Sequence, residues 1–429
     1  MTASLLSTSR LYRTVLSNGL KLIVLENPVA DIISARLFIG SGQALETAET
    51  HGLVSFLMGL LTKGTATLSA MAIAEMVESV GASLSTDAAP DYSVISLKTV
   101  SADFEEIFTL ATHLLRYPSF PEAEIDLERR LTLQQIRSMQ EQPFTVAFNH
   151  LREQMYGDHP YALSGLGSET SLTALTQADL MDFHRQQIRP DNLVVTIVGR
   201  IPPEQAVDLV ERTLGDWRCP DQPRPQVTLP SLMTRANCRI IPQNTHQAIV
   251  MVGYAAAPIH APGFAILKLL NTYLGNGLSS RLFVELREKR GLAYDVSALY
   301  PTRLGQSQFV TYMGTAPDNT AIALEGLRFE VERLTQDYLS ETELQAAKNK
   351  LLGQYALAKQ TNAQLAQILG WYEILGLGLE FDQKFQGEVA AVTATEAKVT
   401  AEKYFRDPCI TLLGPEAAVG PVGKDQGCW

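Results

Sequence analysis

The segment SFPEAEIDLERRLTLQQI at residues 119–136 returns, without a gap, as YLSETELQAAKNKLLGQY at residues 338–355. In each copy a cap-like start leads into a Glu-rich first turn and then a long amphipathic pattern, which the positive end of a helix dipole favours. A second pair follows in the same order: LTQADLMDFHRQQIRPDNLVVTIVG at residues 175–199 and VTATEAKVTAEKYFRDPCITLLG at residues 392–414, alignable with a two-residue gap. Any two helix–strand units share some pattern. Two pairs in one order, at nearly one offset, point instead to a duplicated α+β domain.

Outward from the first copy, Leu20 to Leu25 and Ile33 to Ile39 read as strands, and His51 through Leu61 as a helix. Ala70 to Val80 reads as a helix stopped by Gly81, Ser93 to Val100 as a strand, and Phe104 to Arg116 as a helix ending near Pro118. Between the copies, Pro220, Pro223, Pro225 and Pro230 forbid helix and favour an extended linker over residues 219–235. The expected organisation is an N-terminal domain at 1–218, that linker, and a C-terminal domain at 236–429. Each domain should be a mixed, mostly antiparallel sheet covered by helices, the pair enclosing a cavity.

Composition narrows the function classes. With 46% hydrophobic and 19% charged residues among 429, the chain is an ordinary globular one. A net charge of -11 repels a phosphate backbone, so nucleic acid is not an expected partner. Cys219, Cys238, Cys409 and Cys428 lack any CxxC spacing, which favours free thiols in a reducing compartment. No secretory signal is legible at the N-terminus, and the longest apolar stretch, Gly52 to Leu61, is shorter than the roughly 20 residues a bilayer needs. The expected setting is cytoplasmic, away from membranes.

HGLVSFLMGLLTKGT at residues 51–65, and the run opening YGDHPYALSGLG at residue 156, resemble the N-terminal domain of the pitrilysin and mitochondrial processing peptidase family. In that family the helix before Lys-Gly-Thr carries His-x-x-Glu-His, whose two imidazoles bind zinc from one helical face while the Glu activates the metal-bound water. Registered on Lys63, Gly64 and Thr65, those three positions are Ser55, Met58 and Gly59 here, and the later third ligand is replaced by Gln135. The resemblance therefore implies no zinc in this chain. None of the seven histidines forms a helical pair at the ligand spacing. His51 reads as a helix-start or surface residue, and His159, in Asp158-His159-Pro160-Tyr161, as part of a structural turn. No Gly-x-Ser-x-Gly elbow is present, and Gly275-Asn276-Gly277 lacks the rest of a phosphate loop.

YLGNGLSSRLFVELREKRGLAYDV at residues 273–296 resembles the family's C-terminal domain. Its Arg287 and Tyr294 match a family pair that contacts substrate backbone and developing oxyanion from the domain opposite the zinc. A fixed cation and a phenolic donor suit charge appearing on a carbonyl oxygen. Composition alone offers the plainer reading, an arginine among Glu285, Glu288, Lys289 and Arg290 on a solvated face. By resemblance the chain is a noncatalytic subunit of a heterodimeric zinc metallopeptidase. Zinc would sit in a homologous partner, a peptide would be the substrate, and a homodimer could form in isolation. The alternative is an inactive scaffold, like the core subunits of the respiratory bc1 complex that share this fold.

Overall fold

The computed structural model describes residues 10–225, 229–230, 232 and 235–425. One sheet comprises β1 (Arg10–Val15), β2 (Lys21–Glu26), β3 (Ile32–Ile39), β4 (Ser83–Ala88), β5 (Ser93–Val100) and β6 (Leu193–Gly199), in spatial order β1-β2-β6-β3-β5-β4. The other comprises β7 (Asn237–Pro242), β8 (Ala248–Ala256), β9 (Ala293–Leu299), β10 (Ser307–Thr315) and β11 (Cys409–Gly414), in order β7-β11-β8-β10-β9. β2 runs parallel to β6, as β7 does to β11, and every other neighbouring pair is antiparallel. Without β1 the two orders coincide strand for strand, so the duplication read from the helical segments extends to the sheets.

The helices of the first half are α1 (Leu53–Leu60), α2 (Ala70–Ser79), α3 (Phe104–Arg116), α4 (Glu122–Gln140), α5 (Pro143–Tyr156), α6 (Glu169–Ala174), α7 (Gln177–Gln187) and α8 (Pro203–Leu214). Those of the second are α9 (Phe264–Gly275), α10 (Thr320–Gln336), α11 (Glu341–Leu357), α12 (Asn362–Ile374), α13 (Phe381–Ala391), α14 (Ala394–Tyr404) and α15 (Glu416–Asp425). The gapless repeat is α4 and α11. The second repeat is α7–β6 and α14–β11, and its two helices start alike, with capping boxes at Thr176/Asp179 and Thr393/Glu396.

β6 and β11 are buried along their whole length, because both faces of each central strand are covered. One face of the first sheet packs on Leu57, Leu60, Phe104, Phe108 and Leu209 of α1, α3 and α8. The other, with Ile23, Leu25, Phe38, Val94, Val194 and Val198, packs on Ala366 and Leu369 of α12. Correspondingly α5 packs on β8 and β11 of the second sheet. The compact units are therefore not contiguous: one takes residues up to 136, 164–228 and 356–379, and the other takes 137–163, 229–355 and 380 onward. They depart from a 1–218 and 236–429 division by an exchange of α5 and α12.

β1 and β4 are absent from the sequence reading, as are α5, α6 and α8, and in the second half it delimits only α11, α14 and β11. β4, SLSTDA, is an edge strand with no fully buried residue, so no apolar run marks it. Among the described residues of 219–235 there is no helix or strand, and positions 226–228, 231, 233 and 234 lie outside them, as does the extreme N-terminus. Cys219 and Cys409 are free, but Cys238 is disulfide-bonded, which corrects the reading of four free thiols. No described helix is long and apolar enough to cross a membrane.

Candidate functional site

α1 begins where backbone geometry forces it to. Gly52 at its N-cap has φ 89° and lies so close to Gly167 that a β-carbon would come within 2.6 Å of the Gly167 Cα. The carboxylate of Glu46 accepts hydrogen bonds from Gly52 N (3.0 Å) and Val54 N (2.8 Å), satisfying two otherwise orphaned helix donors. Burial outweighs those two bonds and lifts the Glu46 carboxyl to about 7. His51 holds the same end: its Nε2 contacts the Ser164 carbonyl, and its own carbonyl accepts from Ser171 Oγ at 2.7 Å. It is a buried helix-start residue, and the surface alternative does not hold.

Along α1, the spacing of Ser55, Met58 and Gly59 places them on one side of the helix. The Ser55 hydroxyl accepts weakly from Gln43 Nε2 at 3.4 Å. Met58 is 2% exposed and belongs to the core, while its carbonyl accepts from Thr86 Oγ1 at 2.7 Å. At Gly59 the three atoms nearest a hypothetical β-carbon all belong to Glu128 of α4, the closest being Oε1 at 2.8 Å. Gln135 lies two turns further along α4, roughly 10 Å by helical rise, and is exposed.

This donor set does not fit zinc. A hydroxyl, a core thioether, a glycine and an exposed amide supply neither imidazole nor thiolate nor carboxylate, and Glu128 alone is one ligand where three are needed. Among the described residues no group of three or more His, Cys, Asp or Glu side chains is arranged to hold a metal ion. Glu46, Gln43 and Glu128 were not legible as neighbours of the motif helix, because nothing in their spacing marks them.

His159 lies in the second unit. Its Nδ1 accepts from Tyr161 N at 3.0 Å, and its ring packs against Tyr156 and Tyr161. It is the structural residue expected.

Arg287 and Tyr294 flank a turn at Gly291, which has φ 65°. Arg287 sits on a π-helical segment, Phe283–Glu288, whose widened turn shows as a Lys289 N to Val284 O bond of 3.0 Å. Tyr294 is the second residue of the edge strand β9 and is 63% exposed. The nearby Arg281 is locked by Glu330 (2.8 Å) and Glu285 (3.1 Å). Arg287, by contrast, is exposed and rests only on the Phe283 ring, 5.0 Å from its centroid. Among the described residues neither its guanidinium nor the Tyr294 hydroxyl has a hydrogen-bonding or ionic partner. Gly275, whose β-carbon would strike Ala298 N at 2.0 Å, and Gly277, with φ 75°, shape the turn before this segment.

Residues 21–169 match the model of the insulinase family, peptidase family M16, and residues 174–351 match that of the peptidase M16 inactive domain. An uncharacterized zinc protease of Streptomyces coelicolor is 26% identical over 94% of this chain and 89% of its own length. One from Bacillus subtilis is 24% identical over 94% of this chain and 98% of its own. Among solved structures, a peptidase M16 inactive domain from Pseudomonas fluorescens superposes with a TM-score of 0.88, at 23% identity, covering 95% of this chain and 98% of that one. A Helicobacter pylori protease gives 0.89 at 19% identity, covering 95% and 100%. Two family models in the order of the two repeats, together with the shared fold, establish that this chain belongs to the peptidase M16 family.

Proposed function

We propose that the chain is a noncatalytic subunit of a heterodimeric zinc metallopeptidase. A homologous partner carries the zinc and its general base, and this chain contributes Arg287 and Tyr294 to a peptide bound there. One observation carries the reading: a guanidinium and a phenol, on adjacent elements, are both exposed and uncommitted, while Arg281 beside them is consumed by structural ion pairs. Cation and phenol are the donors that stabilise a developing oxyanion, and they need no metal of their own. The residues at the zinc-motif positions explain why a partner is required.

The test is to copurify the chain with its zinc-bearing homologue and measure peptide hydrolysis by the complex. Arg287→Ala or Tyr294→Phe should lower turnover by about 100- to 1000-fold, the usual effect of losing one preorganised oxyanion donor. The isolated chain, monomer or homodimer, should be inactive. If both variants assemble and the complex turns over at the wild-type rate, the scaffold reading replaces this one.

A further inference from the structure

The first unit holds a cavity of about 540 Å³ bordered by Arg36 of β3, by Tyr92 just before β5, and by Gln364, Gln367, Ile368 and Trp371 of α12. Its volume and its mixture of apolar walls with a few polar groups are those of a small-ligand site. Arg36 shares a face of β3 with Phe38, the face that α12 covers.

The state of Arg36 is what marks the cavity. Nη1 donates to the carbonyls of Ala35 (3.0 Å) and Leu97 (3.4 Å), but Nε is buried with no hydrogen-bond partner. No charged group among the described residues offsets the guanidinium, whose pKa is pulled down by burial alone. Arg189 and Arg281, by comparison, are answered by Asp191 and Glu330 at 2.6 and 2.8 Å. A partly buried cation without a counter-ion is costly, and a bound anion would offset that cost. Gln367 adds an amide that can donate and accept. Tyr92, with Phe38 behind it at 5.6 Å between ring centroids, and Trp371 supply aromatic surface.

Two other candidates carry less. A second cavity, lined by Glu105, Arg200, Glu204, Asp208 and Arg212, has its charges already engaged, with Arg212 bonded to Glu105 and Asp208 and Glu204 to Arg10. Lys268 is committed to the Tyr300 carbonyl at 2.7 Å and stacked on Phe264 and Tyr300.

We propose that the Arg36 cavity binds a carboxylate next to an apolar side chain on a peptide. The carboxylate pairs with the Arg36 guanidinium, and the apolar group lies against Tyr92, Ile368 and Trp371. A peptide's C-terminus and an internal acidic residue present the same chemistry. That the carrier is a peptide rests on the function proposed above; the pairing of a carboxylate with Arg36 does not.

The experiment uses the full chain alone, so its outcome is independent of any zinc-bearing partner, of Arg287 and of Tyr294. Three probes are titrated calorimetrically at low salt: acetyl-Ala-Phe with a free carboxylate, the same dipeptide as its amide, and acetyl-Phe-Asp-Ala amide. One or both carboxylate probes should bind about ten- to a hundredfold more tightly than the amide, and which one does so identifies the source. Arg36→Met should abolish that preference while leaving the melting temperature unchanged or raised, because an unpaired partly buried charge has been removed. A merely structural arginine would instead lower it. Equal binding of carboxylate and amide, retention of the preference in Arg36→Met, or no binding at millimolar peptide would each overturn the proposal. Displacement by acetate as effective as by the peptides would overturn its peptide half.

Discussion

α12 on the first sheet and α5 on the second do the same job with opposite shapes. On the first sheet the strand supplies the bulk: Phe38 projects from β3, and Gly370 of α12 makes room, a β-carbon there falling 2.2 Å from Phe38 Cε2. On the second the helix supplies it: Leu151 and Met155 of α5 fill the space over Gly253 of β8, where a β-carbon would meet them at 3.2 and 2.6 Å. The positions correspond. Leu151 lies as far beyond Ser119 as Gly370 lies beyond Tyr338. Phe38 pairs with Val194 and Gly253 with Cys409, which stand equally far before Gly199 and Gly414 at the ends of the central strands. In each copy a glycine on one element faces bulk on the other, but which element carries the glycine is exchanged, as close packing permits.

The anchors differ as well. α12 is held by polar contacts: Asn362 bonds Asn27 and the Ile32 carbonyl at 2.7 Å, and Glu373 takes Arg13 and Lys21 at 2.9 Å. α5 combines an aromatic contact, Phe144 edge-on to Tyr312 at 4.8 Å, with polar ones: Tyr156 Oη donates to the Gln306 carbonyl at 3.2 Å and Arg239 of β7 pairs with Glu153 at 2.9 Å.

The largest effect should come from placing the second repeat's residue in the first. Gly370→Leu should destabilise by about 3 kcal/mol, the upper range for overpacking a filled core. Phe38→Gly with Gly370→Leu copies the other arrangement and should recover a large part, giving a strong coupling in a double-mutant cycle by urea denaturation. Additive losses would show that the two helices dock by unrelated means.

The next effect belongs to Glu46. Its folded-state pKa of about 7 lies above the unfolded value of 4.5, so the native state binds the proton more tightly. Stability should therefore fall as pH rises from about 4.5 to about 7, by about 3 kcal/mol in all, and level off beyond. In Glu46→Gln that slope should vanish from denaturation curves taken across the window. An unchanged slope would mean that the two helix N–H bonds keep the carboxylate ionised.

Glu373 has the opposite sign. Although burial raises its pKa, the bonds to Arg13 and Lys21 outweigh that and hold it below the ordinary value. Its contribution is present above pH 4.5 and is lost as pH falls through the folded value. With Arg13 and Lys21 about half exposed, Glu373→Gln should cost about 1 kcal/mol at neutral pH, and the cost should shrink in acid. A loss that is the same at all pH values would make the site a packing contact only.

Smallest of all, Arg287→Ala and Tyr294→Phe should each shift stability by no more than about 0.5 kcal/mol, since both side chains are exposed and uncommitted. A larger drop in melting temperature would give them a structural role and weaken their claim on a substrate.

The sequence by itself determined the duplication, the helices α1 to α4, α7, α11 and α14, and the strands β2, β3, β5, β6 and β11, because periodicity, caps and residue type are local properties. It showed the zinc-binding chemistry missing from α1 only against the family's motif. It marked Arg287 and Tyr294 only through family resemblance, since nothing in Glu285 to Arg290 distinguishes one charge from the next. Tertiary structure alone decided which of those charges are spent. Arg281 is neutralised from α10 by Glu330, while Arg287 has no ionic partner among the described residues. It also decided that Met58 is core, that Glu128 stands at Gly59, and that Arg36 faces a cavity with no counter-ion among the described residues. The exchange of α5 and α12 was hidden for the same reason. An amphipathic helix declares in its sequence that it has a face to bury, but which sheet receives that face depends on complementary volumes far apart in the chain.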